Sequence, residues 1–238
     1  MKTINADDLI GEIVAIDYRK AAVFTSYGID FCCHGNRSVQ EACDSAGIYI
    51  TEVLTELNKA LPISESTVNI ETMPIGQIIE YIRNVHHKYV RQQVPVIKEM
   101  LSKVVKVHGH NHPELIEVYE LFDSGVDDLL IHLGKEEQIL FPMILRLSEV
   151  SLDGGDISEV PFSLEVPMHV MKNEHAIEGD RYKRISDLTC KYNAPQEACT
   201  TYKTVFQLLK EFEEDLHKHI HLENNVLFPA ASLLEESL

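Results

Sequence analysis

The chain has 238 residues, of which 45% are hydrophobic, and its formal net charge is −17. This length predicts one large domain or a medium domain with a small companion, and the apolar content suffices for a core. So negative a charge argues against nucleic acid and anionic membrane surfaces as partners, because Lys and Arg bind both.

The histidine and cysteine content stands out. The sequence holds 12 His and 5 Cys, and Cys32 and Cys33 are adjacent. An odd number of cysteines with an adjacent pair favours a reducing compartment over a disulfide framework. The N-terminus lacks the apolar stretch of a signal peptide, and no run of about 18 apolar residues occurs. We therefore expect a cytoplasmic protein without a membrane-spanning segment.

Residues 1–61 predict a small helical domain. Apolar residues recur at helical spacing over residues 9–16, and helical patterns resume over 39–46 and 51–61. The cysteine pair lies in a loop between them. Residues 62–74 are short of apolar residues and begin at a proline, which predicts a linker.

Residues 75–238 predict a four-helix bundle. Long amphipathic stretches run over residues 75–107, 113–147, 167–192 and 195–234, and a proline opens each of the last three. Four helices of this length favour a bundle, so the predicted fold class is all-α. A loop over residues 149–162 has no assigned function.

A repeat links the second and fourth predicted helices. Both contain His-x3-Glu-x2-[Ile/Val]-Leu-Phe-Pro, beginning at His132 and at His219. Another histidine precedes each segment at a similar distance, namely His175 before His219 and either His86 or His87 before His132. The apolar stripes of the first helix do not separate His86 from His87, and the half-repeat slightly favours His87.

The repeat predicts a two-metal site. His132, Glu136, His175, His219 and Glu223 continue the apolar stripes of their helices, and residues four apart share a helix face. A buried carboxylate is costly unless it is paired or bound to metal. Four His and two Glu would give each metal two His, with both Glu bridging and room for an oxo or hydroxo bridge. Such donors suit iron, manganese or zinc. The alternative, ordinary core His and surface Glu, explains the repetition poorly.

These residues resemble those of hemerythrin-like di-iron bundles, and their flanks resemble the Repair of Iron Centers family. That family consists of bacterial proteins that restore iron–sulfur clusters damaged by nitric oxide or oxidants. The flanks are Lys-Glu-Glu-Gln-Ile-Leu-Phe-Pro over residues 135–142 and Leu-Glu-Asn-Asn-Val-Leu-Phe-Pro over residues 222–229. Residues 31–35 also match the family's aromatic-Cys-Cys-x-Gly loop. The resemblance covers nearly the whole chain.

The resemblance implies two non-haem iron ions, a homodimer, a cytoplasmic stress role, and damaged iron–sulfur proteins as partners. Pro95, eight residues after His87, matches the family's spacing for the first ligand and favours His87. Carried over by position, the family's iron ligands fall on His87, His132, Glu136, His175, His219 and Glu223.

The cysteine pair has two interpretations. As a thiolate pair, Cys32 and Cys33 would hold or pass iron or react with nitric oxide, a role that rests mostly on the resemblance. Otherwise they pack the small domain as apolar residues. Adjacent cysteines rarely form a relaxed disulfide, because the small ring strains its geometry.

Four neighbours of the predicted ligands are ambiguous. Glu137 and Glu174 would support ligands or control polar access, although sequence neighbours on a helix point about 100° apart, which favours a solvent-facing position. Gly134 and Gly179 leave room for a diatomic ligand or for close helix packing.

Three functions remain open for a metal-binding bundle. The first is cluster repair through the supply of iron, which is not conventional enzymatic turnover. The second is a hemerythrin-like carrier or sensor of O₂ or NO, and the third is reduction of nitric oxide at the two irons. A bundle without metal is the structural alternative.

Overall fold

The protein is represented by a computed structural model that describes residues 3–59, 73–155, 158, 160 and 162–238. The described N-terminal residues form four short helices around a 3-10 turn, Tyr18–Lys20. These helices are α1 (Ile10–Ile16), α2 (Ala21–Ser26), α3 (Val39–Ala46) and α4 (Ile50–Leu57).

Local sequence explains where these short helices begin and end. The α3 helix starts at a capping box formed by Ser38 and Glu41 and ends at Gly47, whose φ of 68° suits glycine. The predicted helix over residues 51–61 ends earlier, at Leu57. Asn58 follows it, and its side chain donates to the carbonyl of Ile4, which ties the chain ends of the small domain together.

The remaining chain folds into four long helices, and three of them contain a π-helical turn. The first comprises α5 (Ile75–Tyr81), the π turn Ile82–His87 and α6 (Lys88–His108). The second comprises α7 (Glu114–Lys135), the π turn Glu136–Leu140 and α8 (Phe141–Leu152). The third is α9 (Glu165–Leu188). The fourth comprises α10 (Thr200–Leu222), the π turn Glu223–Leu227 and α11 (Phe228–Ser237).

These helices form a bundle in which α6 packs against α7 and α10, and α9 packs against the same two helices. The described part of the chain is thus all-helical, a four-helix bundle with a small N-terminal helical domain, which confirms the predicted fold class. Among the helices that the structure describes, none is long and apolar enough to cross a membrane.

Three predicted boundaries were wrong by several residues. The second helix continues past residue 147 to Leu152, so the predicted loop from residue 149 begins later. The third helix ends at Leu188, because Cys190, Lys191 and Tyr192 all adopt positive φ. The fourth begins at Thr200, and a single turn closed by the bond from the Ala198 amide to the Pro195 carbonyl precedes it.

Two predicted segments fall wholly or partly outside the described residues. Of the linker over residues 62–74, the structure describes Met73 and Pro74, and the loop over residues 149–162 is described only in part. The division into residues 1–61, 62–74 and 75–238 therefore stays a prediction.

A phenylalanine and then a proline follow each of the two later π turns. Pro142 and Pro229 stand in the first turn of α8 and of α11. Because proline has no N–H, it cannot donate to the carbonyl four residues earlier, which interrupts the α-helical ladder. The Phe-Pro of the sequence repeat thus marks a wider helical turn, a type of turn that is frequent at functional sites.

The bundle core consists of two apolar clusters. One joins the small domain to the bundle half that contains α6, α7 and α10. The other is built by α5, α8, α11 and the start of α9. The buried histidine and glutamate side chains lie between these clusters in sequence and in space.

The small domain docks on the fourth helix of the bundle. Asn225 donates from Nδ2 to the carbonyls of Phe31 and Cys32, both at 3.3 Å. His221 is 1% exposed, and its ring packs against those of Tyr18 and Phe31. The cysteine loop is therefore attached to the same stretch of chain that carries Glu223.

We expect Asn225→Ala to loosen the cysteine loop, because it removes two hydrogen bonds worth about 1 kcal/mol each. Alkylation of Cys32 and Cys33, followed by mass spectrometry, should accelerate several-fold. The control is Asn193→Ala, since Asn193 bonds to carbonyls of its own loop. Equal alkylation rates in the two variants would contradict this docking.

Candidate metal centre

Six buried polar side chains meet in the layer between the two apolar clusters. His87 ends the first π turn, Glu136 and Glu223 begin the other two, and the remaining three project from α7, α9 and α10. Each is at most 4% exposed. They are the six residues predicted from the sequence, namely His87, His132, Glu136, His175, His219 and Glu223.

Two histidines form the first half of this centre. The Nε2 atoms of His87 and His219 lie 3.2 Å apart. Oε2 of Glu136 lies 3.4 Å from Nε2 of His87, and Oε1 of Glu223 lies 3.0 Å from Nε2 of His219. Two imidazoles and two carboxylates thus face one point.

The other two histidines form the second half in the same manner. The Nε2 atoms of His132 and His175 lie 3.0 Å apart. Oε1 of Glu136 lies 3.2 Å from His132 Nε2, and Oε2 of Glu223 lies 3.2 Å from His175 Nε2. Each glutamate therefore presents one oxygen to each histidine pair.

The chemistry of this donor set fits cations. In each half, the four candidate ligand atoms lie within 4.8 Å of one another. Both oxygens of Glu136 and Oε2 of Glu223 are buried without a well-formed hydrogen bond. Leaving such oxygens unsatisfied is costly, and a cation in each half would satisfy them. Imidazole and carboxylate donors suit iron, manganese or zinc.

The charges of the centre favour ionised carboxylates. Burial acts to raise the pKa of Glu136, but the neighbouring His132 and the other imidazoles hold it well below its usual range. Burial acts to lower the pKa of His175, while Glu136 and Glu223 raise it to about 10. A cation bound here would replace protons held by the imidazoles, so that binding would release protons.

Side chains around the centre orient three of the histidines through Nδ1. Glu137 Oε1 lies 2.8 Å from His87 Nδ1, and Glu174 Oε2 lies 2.7 Å from His132 Nδ1. Asn224 Oδ1 lies 2.9 Å from the Nδ1 of His175. Such partners fix the orientation and tautomer of a metal-binding imidazole.

Glu137 and Glu174 therefore contact candidate ligands, although their side chains stay partly exposed, at 21% and 28%. The solvent-facing position that helix geometry favoured is only partly found. Arg91 binds both oxygens of Glu137, and Lys135 binds Glu174. Arg91 and Lys135 lie far in sequence from the glutamates that they bind, so no local pattern could predict these ion pairs. Asn224 follows Glu223 directly in the repeat, and that adjacency was the available signal for its role.

The two adjacent histidines of the first helix have different contacts in the structure. His87 directs Nε2 into the centre, as the spacing to Pro95 favoured. The ring of His86 is buried beside it, with Nδ1 2.9 Å from Asp215 Oδ1. That ring stacks on His219, with the centroids 5.7 Å apart, so His86 supports a candidate ligand.

A cavity of about 270 Å³ reaches the centre from the side of α7 and α9. His132, His175 and His219 contribute to its wall. Glu178 also lines it, and burial raises the pKa of this carboxyl to about 7 although Arg181 acts to lower it. The Glu178 carboxyl and three candidate ligands therefore line the same cavity.

The cysteine loop contacts the helix that carries His175. Cys33 Sγ lies 3.3 Å from the carbonyl oxygen of His175. A Cβ added to Gly179 would lie 3.2 Å from that sulfur, so the missing side chain makes room for the thiol. The hydrogen bond with Cys33, burial and the charge of Asp30 raise the pKa of Cys32, which favours its thiol form.

Comparisons with known proteins agree with this geometry. Residues 78–231 match the family described as Hemerythrin HHE cation binding domain, which makes the bundle a cation-binding domain of the hemerythrin type. Residues 6–61 match the ScdA_N family, described as a domain of unknown function.

Whole-length relatives refine this class. The iron-sulfur cluster repair protein ScdA of Staphylococcus haemolyticus is 32% identical over 225 residues, 94% of this chain and 98% of the relative. ScdA of Staphylococcus epidermidis is 32% identical over 96% of this chain and 100% of its own length. The iron-sulfur cluster repair protein YtfE of Yersinia pestis is 30% identical over 93% of this chain and 95% of its own. The chain belongs to this family of iron–sulfur cluster repair proteins, which confirms the resemblance.

We expect Glu174→Gln to weaken cation binding by about 10–100-fold, because it removes the charged partner of His132 Nδ1. Competition with a chelator of known affinity would measure the effect. Glu165→Gln, an exposed position on the same helix, is the matched control. Equal affinities in the two variants would remove Glu174 from the metal centre.

Proposed function

We propose that this protein repairs iron–sulfur clusters damaged by nitrosative or oxidative stress, and that it supplies iron to them from a di-iron centre. One observation carries this proposal. Two pairs of buried histidines face each other, and the carboxylates of Glu136 and Glu223 each contact both pairs. The names of its relatives supply the repair role. The proposal includes a homodimer that acts in the cytoplasm and takes damaged iron–sulfur proteins as partners.

The ligand set suits iron that must later leave. His87 and His219 would hold one iron, His132 and His175 the other, and both glutamates would bridge the ions. Fe²⁺ stands low in the affinity order of divalent metals, and imidazole and carboxylate are harder donors than sulfide. A sulfur-rich acceptor can therefore draw Fe²⁺ from this centre. When bound, the irons would also supply redox and Lewis-acid chemistry.

The cysteine pair is the second element of the proposal. Cys32 and Cys33 would assist release, because their loop contacts the backbone of the ligand-bearing helix at His175. Thiol donors have a greater affinity for iron than the carbonyl oxygens around them. A carrier of O₂ alone would have no evident use for this pair.

The cavity supports a second candidate function, the reduction of nitric oxide. Two molecules of NO, two electrons from a protein reductant and two protons give N₂O and water. Glu178 lines the cavity with a pKa of about 7, so it can donate a proton near neutral pH. Binding of O₂ or NO without turnover would use the same cavity.

The count of bound iron tests the proposed centre. We expect two coupled irons per chain in the wild type by Mössbauer spectroscopy, and their loss in Glu136→Leu, which removes one of the two proposed bridging carboxylates. Glu120→Gln, an exposed position on the same helix, should keep both irons. A wild-type protein that takes up no iron would rule out the di-iron centre.

A repair assay distinguishes the proposed functions. We expect the iron-loaded protein to restore a nitrosylated iron–sulfur protein and to lose one iron or more in doing so. Steady N₂O production with a reductant, reduced at least tenfold in Glu178→Gln, would instead favour turnover of nitric oxide. Repair without loss of iron would contradict iron supply.

A further inference from the structure

We propose that Asp30, Cys32 and Cys33 form a separate mononuclear site for a thiophilic divalent cation, and that Fe²⁺ occupies it in transit from the bundle. A thiol of Cys33, a thiol of Cys32 and a carboxylate oxygen of Asp30 lie within 4.8 Å of one another. The inference deepens the proposed function and rests on it only for the identity of the cation as iron.

Two of the three distances between these donor atoms are close to those of one tetrahedral ion. The two Sγ atoms are 3.7 Å apart. Two thiolates bound at about 2.3 Å with a tetrahedral angle would lie about 3.8 Å apart. Asp30 Oδ1 lies 3.3 Å from Cys32 Sγ, against about 3.5 Å for a sulfur and an oxygen ligand of one such ion. The three donor atoms are therefore spaced closely enough to share one ion.

The loop holds the carboxylate in place beside the sulfurs. Asp30 Oδ1 accepts from the amides of Cys32 and Cys33 at 2.9 and 3.0 Å. Its Oδ2 lies 2.6 Å from Nδ1 of His34. A histidine partner orients this carboxylate, as outer side chains commonly do for metal ligands. The adjacent cysteines are conspicuous in the sequence, whereas no pattern marks Asp30, which precedes them by only two and three residues.

Binding of the cation is balanced by the release of two protons. In its thiol form, Cys32 is positioned to donate from Sγ to Asp30 Oδ1. A divalent ion displaces both thiol protons to solvent and leaves two thiolates and one carboxylate as ligands. No electron transfer is involved.

The position of the site suits an ion that leaves the bundle. Cys33 is part-exposed, whereas the ligands of the central layer are buried. Its sulfur contacts the His175 carbonyl on one side, and Gly179, one helical turn further on, admits it. The loop thus stands between the histidine layer and a cleft lined by Asp30, Cys32, Gly179 and Lys183.

Cobalt titration of the iron-loaded full-length protein tests the site. We expect one further Co²⁺ per chain with a thiolate-to-cobalt charge-transfer band, while the iron content of the same sample stays unchanged. Asp30→Asn should weaken this Co²⁺ binding at least tenfold, and Cys32→Ser should at least halve the intensity of the band because it removes one of the two thiolates. Controls are Asp44→Asn, exposed in the same domain, and the exposed Cys199→Ser. A band of undiminished intensity in Cys32→Ser, or equal affinity in Asp30→Asn, would overturn the proposal.

The same titration on Glu136→Leu separates this inference from the proposed function. The cysteine site should bind Co²⁺ in that variant although the central iron is lost. If the wild type holds two irons and repairs clusters but shows no cobalt–thiolate band, the inference fails and the proposed function stands. If the band appears and no cluster is repaired, the site stands without its role in transit.

Substitutions at two glycines of the bundle test whether Gly179 positions the sulfur of Cys33. Gly179→Ala places a methyl group 3.2 Å from Cys33 Sγ, so the Co²⁺ affinity should fall several-fold. In Gly134→Ala the nearest atom is 4.0 Å away, so affinity should not change. An unchanged cobalt affinity in both would mean that Gly179 does not position Cys33.

Discussion

Glu136 and Glu223 bury two carboxylates between the apolar halves of the bundle, and both are fully excluded from solvent. Their charges are tolerable only because four imidazoles meet them there, one pair at each side. This one electrostatic requirement accounts for much of what surrounds it. It explains why Glu137, Glu174 and Asn224 hold the outer nitrogen atoms of the histidines, and why the helices widen at this layer.

The π turns give the centre its shape. In three of the four long helices, a candidate ligand stands at the beginning or end of such a turn. Pro142 and Pro229 help to impose two of these turns, since each removes a backbone donor. The repeat thus encodes both a ligand pair and the local backbone that turns it toward the core, on two different helices.

The bundle and its central layer were predictable because their signals are local and repeated. His132 and Glu136 share a helix face by spacing alone, and so do His219 and Glu223. The residues that contact and orient the candidate ligands were not predictable in this way. Glu174 is held by Lys135 across two helices, and Gly179 admits a thiol from another domain, so only the tertiary fold brings these groups together. The turn after Leu188 depends on positive φ at three residues, none of which is a glycine, so the residue types there did not indicate it.

The stretch from Glu223 to Asn225 has a consequence beyond either of its contacts. Within three residues it supplies a carboxylate to the central layer and amide groups to the cysteine loop. Two equilibria that share one rigid turn are thermodynamically linked, and the linkage is reciprocal. Any effect that occupancy of the centre has on the attachment of the small domain is therefore matched by an equal effect of that attachment on occupancy.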